Sequence, residues 1–337
     1  MKQRRTAIPV LLILIFLLMT ACGKSGEGTL DASNSGKPQV SPAASTPSAS
    51  PAVNAETRTY KDGLGREVVI PAKPKRIVTT QYLPDMLALG VKPIGAPTHL
   101  LTNFDSVKSL IGGIEDLGAV NELNVEKTVS LNPDLIIAME GNQELIDKLS
   151  KIAPTVVVKW SGSDPFQHLK DVAAVLGLSD KADQWIAAYN KKSEEVRAKL
   201  AAYVKPGETF GTVVIGGYEK GQLRVYGDSN VGFTLFKSLQ FPMTDTVKKE
   251  WSKGGHDLGM KISLEKLPEY ASADRLFVVK FDNDPDFLKQ VENSSLWNNL
   301  PAVKNNKVYV VNDSLWFSLD VMSFDQQLDD AVKLLAK

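Results

Sequence analysis

The chain has 337 residues, in which 39 Lys plus Arg balance 39 Asp plus Glu, with three histidines and one cysteine. Balanced charge provides no basic field for a nucleic-acid backbone, and a single thiol excludes a disulfide framework within the chain. Beyond residue 20 no apolar run is long enough to cross a bilayer.

The N-terminus opens with the basic stretch "MKQRR" and the apolar "AIPVLLILIFLL", too short for a comfortable span, which predicts a signal peptide over residues 1–21. It closes on "MTAC", where small Thr20 and Ala21 precede Cys22, and this resembles a bacterial lipoprotein signal. Export is therefore expected, with lipid on Cys22 holding the protein to the outer face of the cell membrane. Residues 22–57 are mostly Ser, Ala, Pro, Gly, Thr and Asn. Such a segment cannot bury enough apolar surface to offset its ordering entropy, so it reads as a disordered tether with a reach of roughly 30 Å.

From residue 58 onward the pattern becomes that of a folded body. "YKDGLGREVVIP" predicts a hairpin turning at Asp62-Gly63, followed by the strand "RIVTT". Short helices and apolar strands then alternate through "TVVVK", which argues for a mainly parallel α/β sheet over residues 58–160. The alternation breaks over residues 161–205. There "DPFQHLKDVAAVLG" predicts a helix capped by Asp164 and ended by Gly177, and a second helix is expected from about Asp180 to Val204, long enough to bridge two lobes. Strands and helices resume over residues 206–337.

Two stretches are nearly the same phrase: "NVEKTVSLNPDLIIA" from Asn124 and "SLEKLPEYASADRLFVV" from Ser263. Each reads as a helical piece with a Glu-Lys pair, a turn, an Asp and a buried strand. The repetition predicts two related halves. Open α/β sheets bind ligands beyond the carboxyl ends of their strands. That rule selects Gln81, Tyr82, Thr98, His99, Glu140 to Asn142 and Trp160 in the first half. In the second it selects Tyr218, Arg224, Tyr226, Trp251 in the "EWSKGGHD" loop, and Trp316 in "SLWF". The set is aromatic with one Arg, which suits a large, partly apolar ligand bearing polar or negative oxygens.

Taken in order, "DGLGREVVIPAKPKRIV", "MLALGVKPIGA", "NVEKTVSLNPDLII" and "KLSKIAPTV", then "GQLRVYGDSNVGFTLFKSL" and "LWNNLPAVKNNKVYVVNDSLWF", resemble the substrate-binding proteins of iron-siderophore and vitamin B12 ABC importers. The resemblance implies a class III periplasmic-binding-protein fold: two Rossmann-like α/β lobes joined by one long rigid helix, with the ligand between them. It implies no cofactor, a ferric siderophore as ligand, a monomeric carrier, and a dimeric membrane permease as partner. Glu126 and Glu265 fall where the family docks one surface Glu of each lobe on permease Arg residues. Trp316 matches a "WF" context in which ferric-hydroxamate binders place a cleft Trp. Val120 stands near a position where some hydroxamate binders carry an Arg, which gives Arg224 added weight.

The rival readings are few. A manganese or zinc carrier needs several His and carboxylates together, and only His99, His168 and His256 exist, with His168 inside a helix. Haem binding through His99 or His256, vitamin B12 binding in the same cleft, and a ligand sensor without transport stay open. Enzyme chemistry has no signature, since there is neither "GxSxG" nor a Cys pair.

Overall fold

The structure is a computed structural model that describes residues 56–160, 164–256 and 258–337. The expected signal peptide, Cys22 and nearly all of the expected tether lie outside the described residues. Thr57, assigned above to the tether, is instead the first residue of strand β1 (Thr57–Lys61), which pairs antiparallel with β2 (Glu67–Pro71). Asp62 forms the turn between them. Its carboxylate accepts from the Leu64 and Arg66 backbone N–H groups at 3.0 and 2.9 Å and from the Arg66 guanidinium at 2.6 Å.

The first lobe is a five-stranded parallel sheet of β3 (Ile77–Thr79), β4 (Gly95–Ala96), β5 (Glu115–Asp116), β6 (Leu135–Met139) and β7 (Thr155–Val158), in the order β5-β4-β3-β6-β7. The second contains β8 (Phe210–Ile215), β9 (Leu223–Val225), β10 (Met260–Ile262), β11 (Arg275–Lys280) and β12 (Val308–Val311), in the order β10-β9-β8-β11-β12. Each sheet thus places its first strand in the middle and its fourth and fifth on one side. "FGTVVI" of β8 is buried throughout, as a strand covered by helices on both faces must be. The repeated phrase takes the same place in both lobes: a helical segment, Val125–Ser130 or Leu264–Tyr270, leads into β6 or β11 beside the central strand.

The second sheet departs from the first in one respect. β9 runs antiparallel to β8, and β10 antiparallel to β9. The carboxyl end of β9 therefore lies at the opposite end of the sheet from those of β8, β11 and β12.

The bridging helix spans Ser179–Leu200, about 33 Å at 1.5 Å per residue, and ends in a turn before the expected Val204. Ala182 near its start packs into a first-lobe core with Leu135 and Val172, whereas Val196 and Leu200 pack with Phe210 and Phe277 of the second lobe. The sequence reading missed a second strut. The C-terminal helix Val321–Leu335 sinks Val321 into the first-lobe core and Phe324, Leu328 and Ala331 into the second. Its Ser323 hydroxyl bonds Ser106 Oγ at 3.0 Å, and Lys192 of the bridging helix bonds Asp325 and Asp329 at 2.9 Å. Two parallel connections resist relative motion of the lobes better than one.

Candidate functional site

Between the lobes lies a cleft of two adjoining cavities that share Gln81, Phe104, Tyr218, Phe317 and Ser318. The outer cavity, about 660 Å³, adds His99, Asn103, Phe281 and Asp313, and its size falls in the range of roughly 300 to 1,000 Å³ usual for small-molecule sites. The inner one, about 210 Å³, adds Tyr82, Asp85, Trp160, His168, Asn230 and Asp320.

Strand ends build most of this surface. Beyond β3 the chain turns sharply at Tyr82, whose φ of 57° is uncommon for a residue with a large side chain. The Tyr82 hydroxyl donates to the Val158 carbonyl at 3.0 Å. Burial, then the charges of Glu140, Asp85 and Asp171, hold that phenol well above its usual range. Trp160 follows β7, with its ring 4.3 Å from the His168 ring and 6.5 Å from that of Tyr82. Burial pushes the His168 imidazole down to about 4, partly offset by the Asp164 carboxylate. His99 faces Gln81, with Nε2 3.3 Å from Oε1. On the opposite wall, Phe317 meets Phe281 edge-on at 5.0 Å and Tyr218 at 5.5 Å.

The structure brings Gln81, Tyr82, His99, Trp160 and Tyr218 of the expected set into the cleft, and places the others elsewhere. Glu140 and Asn142 line a separate first-lobe recess with Val120 and Met139. Glu140 Oε1 accepts from the Trp160 backbone N–H at 3.1 Å, and Asn142 caps helix Gln143–Leu149 by accepting from Leu145 N–H at 3.0 Å. Their polar groups hold the first-lobe wall rather than face the cleft.

Trp316, expected as a cleft aromatic, is fully buried against Phe277, and its Nε1 donates to Asp330 at 2.8 Å. The short helix Asp313–Trp316 turns Trp316 to the core, so the next residue, Phe317, takes the cleft position. Tyr226 and Trp251 also point away. Tyr226 donates to the Leu258 carbonyl at 2.9 Å and packs on Gly259, where any Cβ would come within 2.6 Å of the ring. Trp251 donates to Asp228 at 2.6 Å and lies against Gly227, where a Cβ would meet the indole at 2.4 Å. Tyr226 follows β9, whose antiparallel direction breaks the strand-end rule, whereas Trp251, expected in a loop, ends helix Asp245–Trp251 and follows no strand.

Arg224 is 3% exposed and lies beneath the cleft surface. Its Nη1 donates to the Leu258 carbonyl at 2.7 Å, its Nη2 to Gln222 Oε1 at 2.8 Å, and Tyr218 covers it with its ring centroid 5.0 Å from the guanidinium carbon. Sequence reasoning missed Asp85, Phe104, Phe281, Phe317 and Asp320. An acid within the apolar "LPDMLALG" was the readable signal for Asp85.

Glu126 and Glu265 are exposed, each in the first turn of its repeated unit. Neither enters an ion pair among the described residues: Lys127 pairs with Glu115 at 2.9 Å and Lys266 with Glu269 at 2.6 Å. The Ser263 hydroxyl and the backbone N–H of Glu265 hold that carboxyl below its usual range, so it is ionised at neutral pH. Among the described residues no group of three or more His, Cys, Asp or Glu is placed to hold a metal ion, and no helix is long and apolar enough to cross a membrane.

Comparison with known proteins gives a consistent result. Residues 77–315 match the periplasmic binding protein family model. The iron(3+)-hydroxamate-binding protein YxeB of Bacillus subtilis is 33% identical, with 100% of this chain and 98% of that protein covered. A solved FhuD fold-family protein of Bacillus subtilis, a periplasmic binding component of a Fep/Fec-like ferrichrome ABC transporter, superposes with a TM-score of 0.71 at 34% identity, covering 82% of this chain and 100% of its own. Staphylococcus aureus SirA complexed with staphyloferrin B gives a TM-score of 0.69 at 26% identity, covering 83% and 99%. With the family model matched across both sheets and a relative one-third identical from end to end, the chain belongs to the periplasmic binding protein family.

Proposed function

We propose that this protein captures a ferric siderophore in the interlobe cleft and delivers it to the permease of an ABC importer, acting as a carrier and not as an enzyme. The observation that carries the reading is a cleft walled from both lobes by aromatic faces, with Tyr82, Phe104 and Trp160 opposite Tyr218, Phe281 and Phe317. Such walls fit a bulky chelate with an apolar periphery and offer little to a bare ion, which needs converging His and carboxylate ligands. The names of the relatives, which bind iron(3+)-hydroxamate or belong to ferrichrome import, support the same ligand class.

Two further elements complete the proposal. Glu126 and Glu265, exposed at matching places in the two lobes, are the docking carboxylates for permease Arg residues. A lipid on Cys22, with the following tether, keeps a monomeric carrier within reach of that permease at the membrane's outer face. Quenching of tryptophan fluorescence by ferric hydroxamates, catecholates and citrate tests the ligand class. Saturable quenching by at least one ferric chelate is expected. Tight binding of bare Fe³⁺ with no response to any chelate would sink the reading.

A further inference from the structure

The charge of the cleft is one-sided. Asp85 and Asp320 line its inner cavity and Asp313 its outer one, while no Lys or Arg lines either. Arg224, beneath the Tyr218 ring, bonds Leu258 and Gln222 through Nη1 and Nη2, while its buried Nε has no partner and it lines neither cavity.

The two inner aspartates differ in how they are satisfied. Asp320 caps the C-terminal helix: Oδ1 accepts from the Ser323 N–H at 2.8 Å and Oδ2 from the Ser323 hydroxyl at 2.5 Å. Asp85, on helix Leu83–Ala88 of the first lobe, is 4% exposed, and its Oδ1 has no hydrogen-bond partner. A buried carboxyl oxygen without a donor is costly. Its position on the wall of a ligand cavity identifies what is missing: a donor that comes with the ligand.

We propose that the inner end of the cleft is a subsite for a positively charged group of the ligand, received by Asp85 with Asp320 behind it, so that the cleft selects ferric complexes of zero or positive net charge. The inference rests on the siderophore reading above and names the ligand class within it. A ferric trihydroxamate fits, because three singly charged hydroxamates neutralise the metal and a free amine on the backbone leaves the complex cationic. A ferric tris-catecholate is triply negative and would enter an aromatic, acidic cleft with no countercharge. The faces of Tyr218 and Trp160 add attraction for a cation. In the empty cleft burial, and then the Asp320 carboxylate, hold the Asp85 carboxyl well above its usual range. An arriving ammonium favours its ionised form.

The test is a charge series on the full chain. A linear ferric trihydroxamate ending in a primary amine, its N-acetyl form and its N-succinyl form share one metal core and carry positive, zero and negative charge. Titration calorimetry should rank them in that order, with the amine form about tenfold tighter than the acetyl form. The amine form should release more protons than the acetyl form, read from the dependence of binding heat on buffer. Asp85→Asn should flatten the series. Equal affinity for the amine and acetyl forms in the unsubstituted protein overturns the subsite without reference to any variant, as does tightest binding of the succinyl form or of a ferric tris-catecholate. Failure of every ferric chelate to bind overturns the siderophore reading itself.

Discussion

The Arg224 guanidinium carbon sits 5.0 Å from the centroid of the Tyr218 ring, which stands between it and the cleft and is itself 54% exposed. The ring, not the guanidinium, is the cleft-facing surface of this pair. Tyr218→Ala should weaken siderophore binding by about 1 to 2 kcal/mol through lost aromatic contact while leaving folding stability within about 0.5 kcal/mol. Arg224→Ala removes two part-buried hydrogen bonds and should cost about 1 to 3 kcal/mol of stability, with a smaller loss of affinity than Tyr218→Ala. Urea melts and calorimetry on both variants give the comparison. A larger affinity loss for Arg224→Ala with unchanged stability would put the guanidinium on the ligand.

The two tryptophans chosen from sequence should separate cleanly. Trp316→Ala opens a cavity in the second-lobe core and strips Asp330 of its donor, so a loss of about 3 to 5 kcal/mol is expected. Trp160→Phe, at a residue 37% exposed on the cleft wall, should leave stability nearly unchanged and remove much of the ligand-induced fluorescence change. Quenching that persists in Trp160→Phe and vanishes in Trp316→Phe would reverse these roles.

Acid should loosen the first lobe through His168. Its folded-state value of about 4 lies below the ordinary 6.5. The neutral ring therefore contributes stability that is fully present above about pH 6.5 and is lost as the pH falls through about 4, amounting to about 2 kcal/mol at pH 5. Urea midpoints at pH 7 and pH 5 should differ by less in His168→Gln than in the unsubstituted protein. An identical acid sensitivity in both would assign the loss to other groups.

Docking and capture should separate at Glu126 and Glu265. Alanine at both should leave ligand affinity and thermal midpoint nearly unchanged, because both are exposed and neither enters an ion pair among the described residues. Uptake through the cognate permease should fall sharply, and each single change should act less, since exposed charge pairs are individually weak. Normal uptake by the double variant would refute docking through these residues.

Local signals determined much of this protein before any packing was considered. The Asp62-Gly63 turn, the bridging helix and the doubled "EK" phrase are all set by periodicity and turn residues within a few positions of one another. So were Tyr82, Trp160 and Tyr218, because each follows a strand whose direction the parallel pattern implies. Tertiary structure decided the rest. "LRVYG" reads the same whether its strand runs with or against β8, and only the pairing of Arg224 with Val214 puts Tyr226 beside Thr212, where its buried ring backs Phe317 edge-on at 6.0 Å instead of lining the cleft. "SLWF" offers two adjacent aromatics, and only the packing of Asp313–Trp316 against β11 decides that Trp316 goes inward and Phe317 outward. Asp85 and Asp320 are 235 positions apart in the chain. No local pattern relates them, and they line one cavity only because the C-terminal helix returns to the first lobe and buries Val321 there.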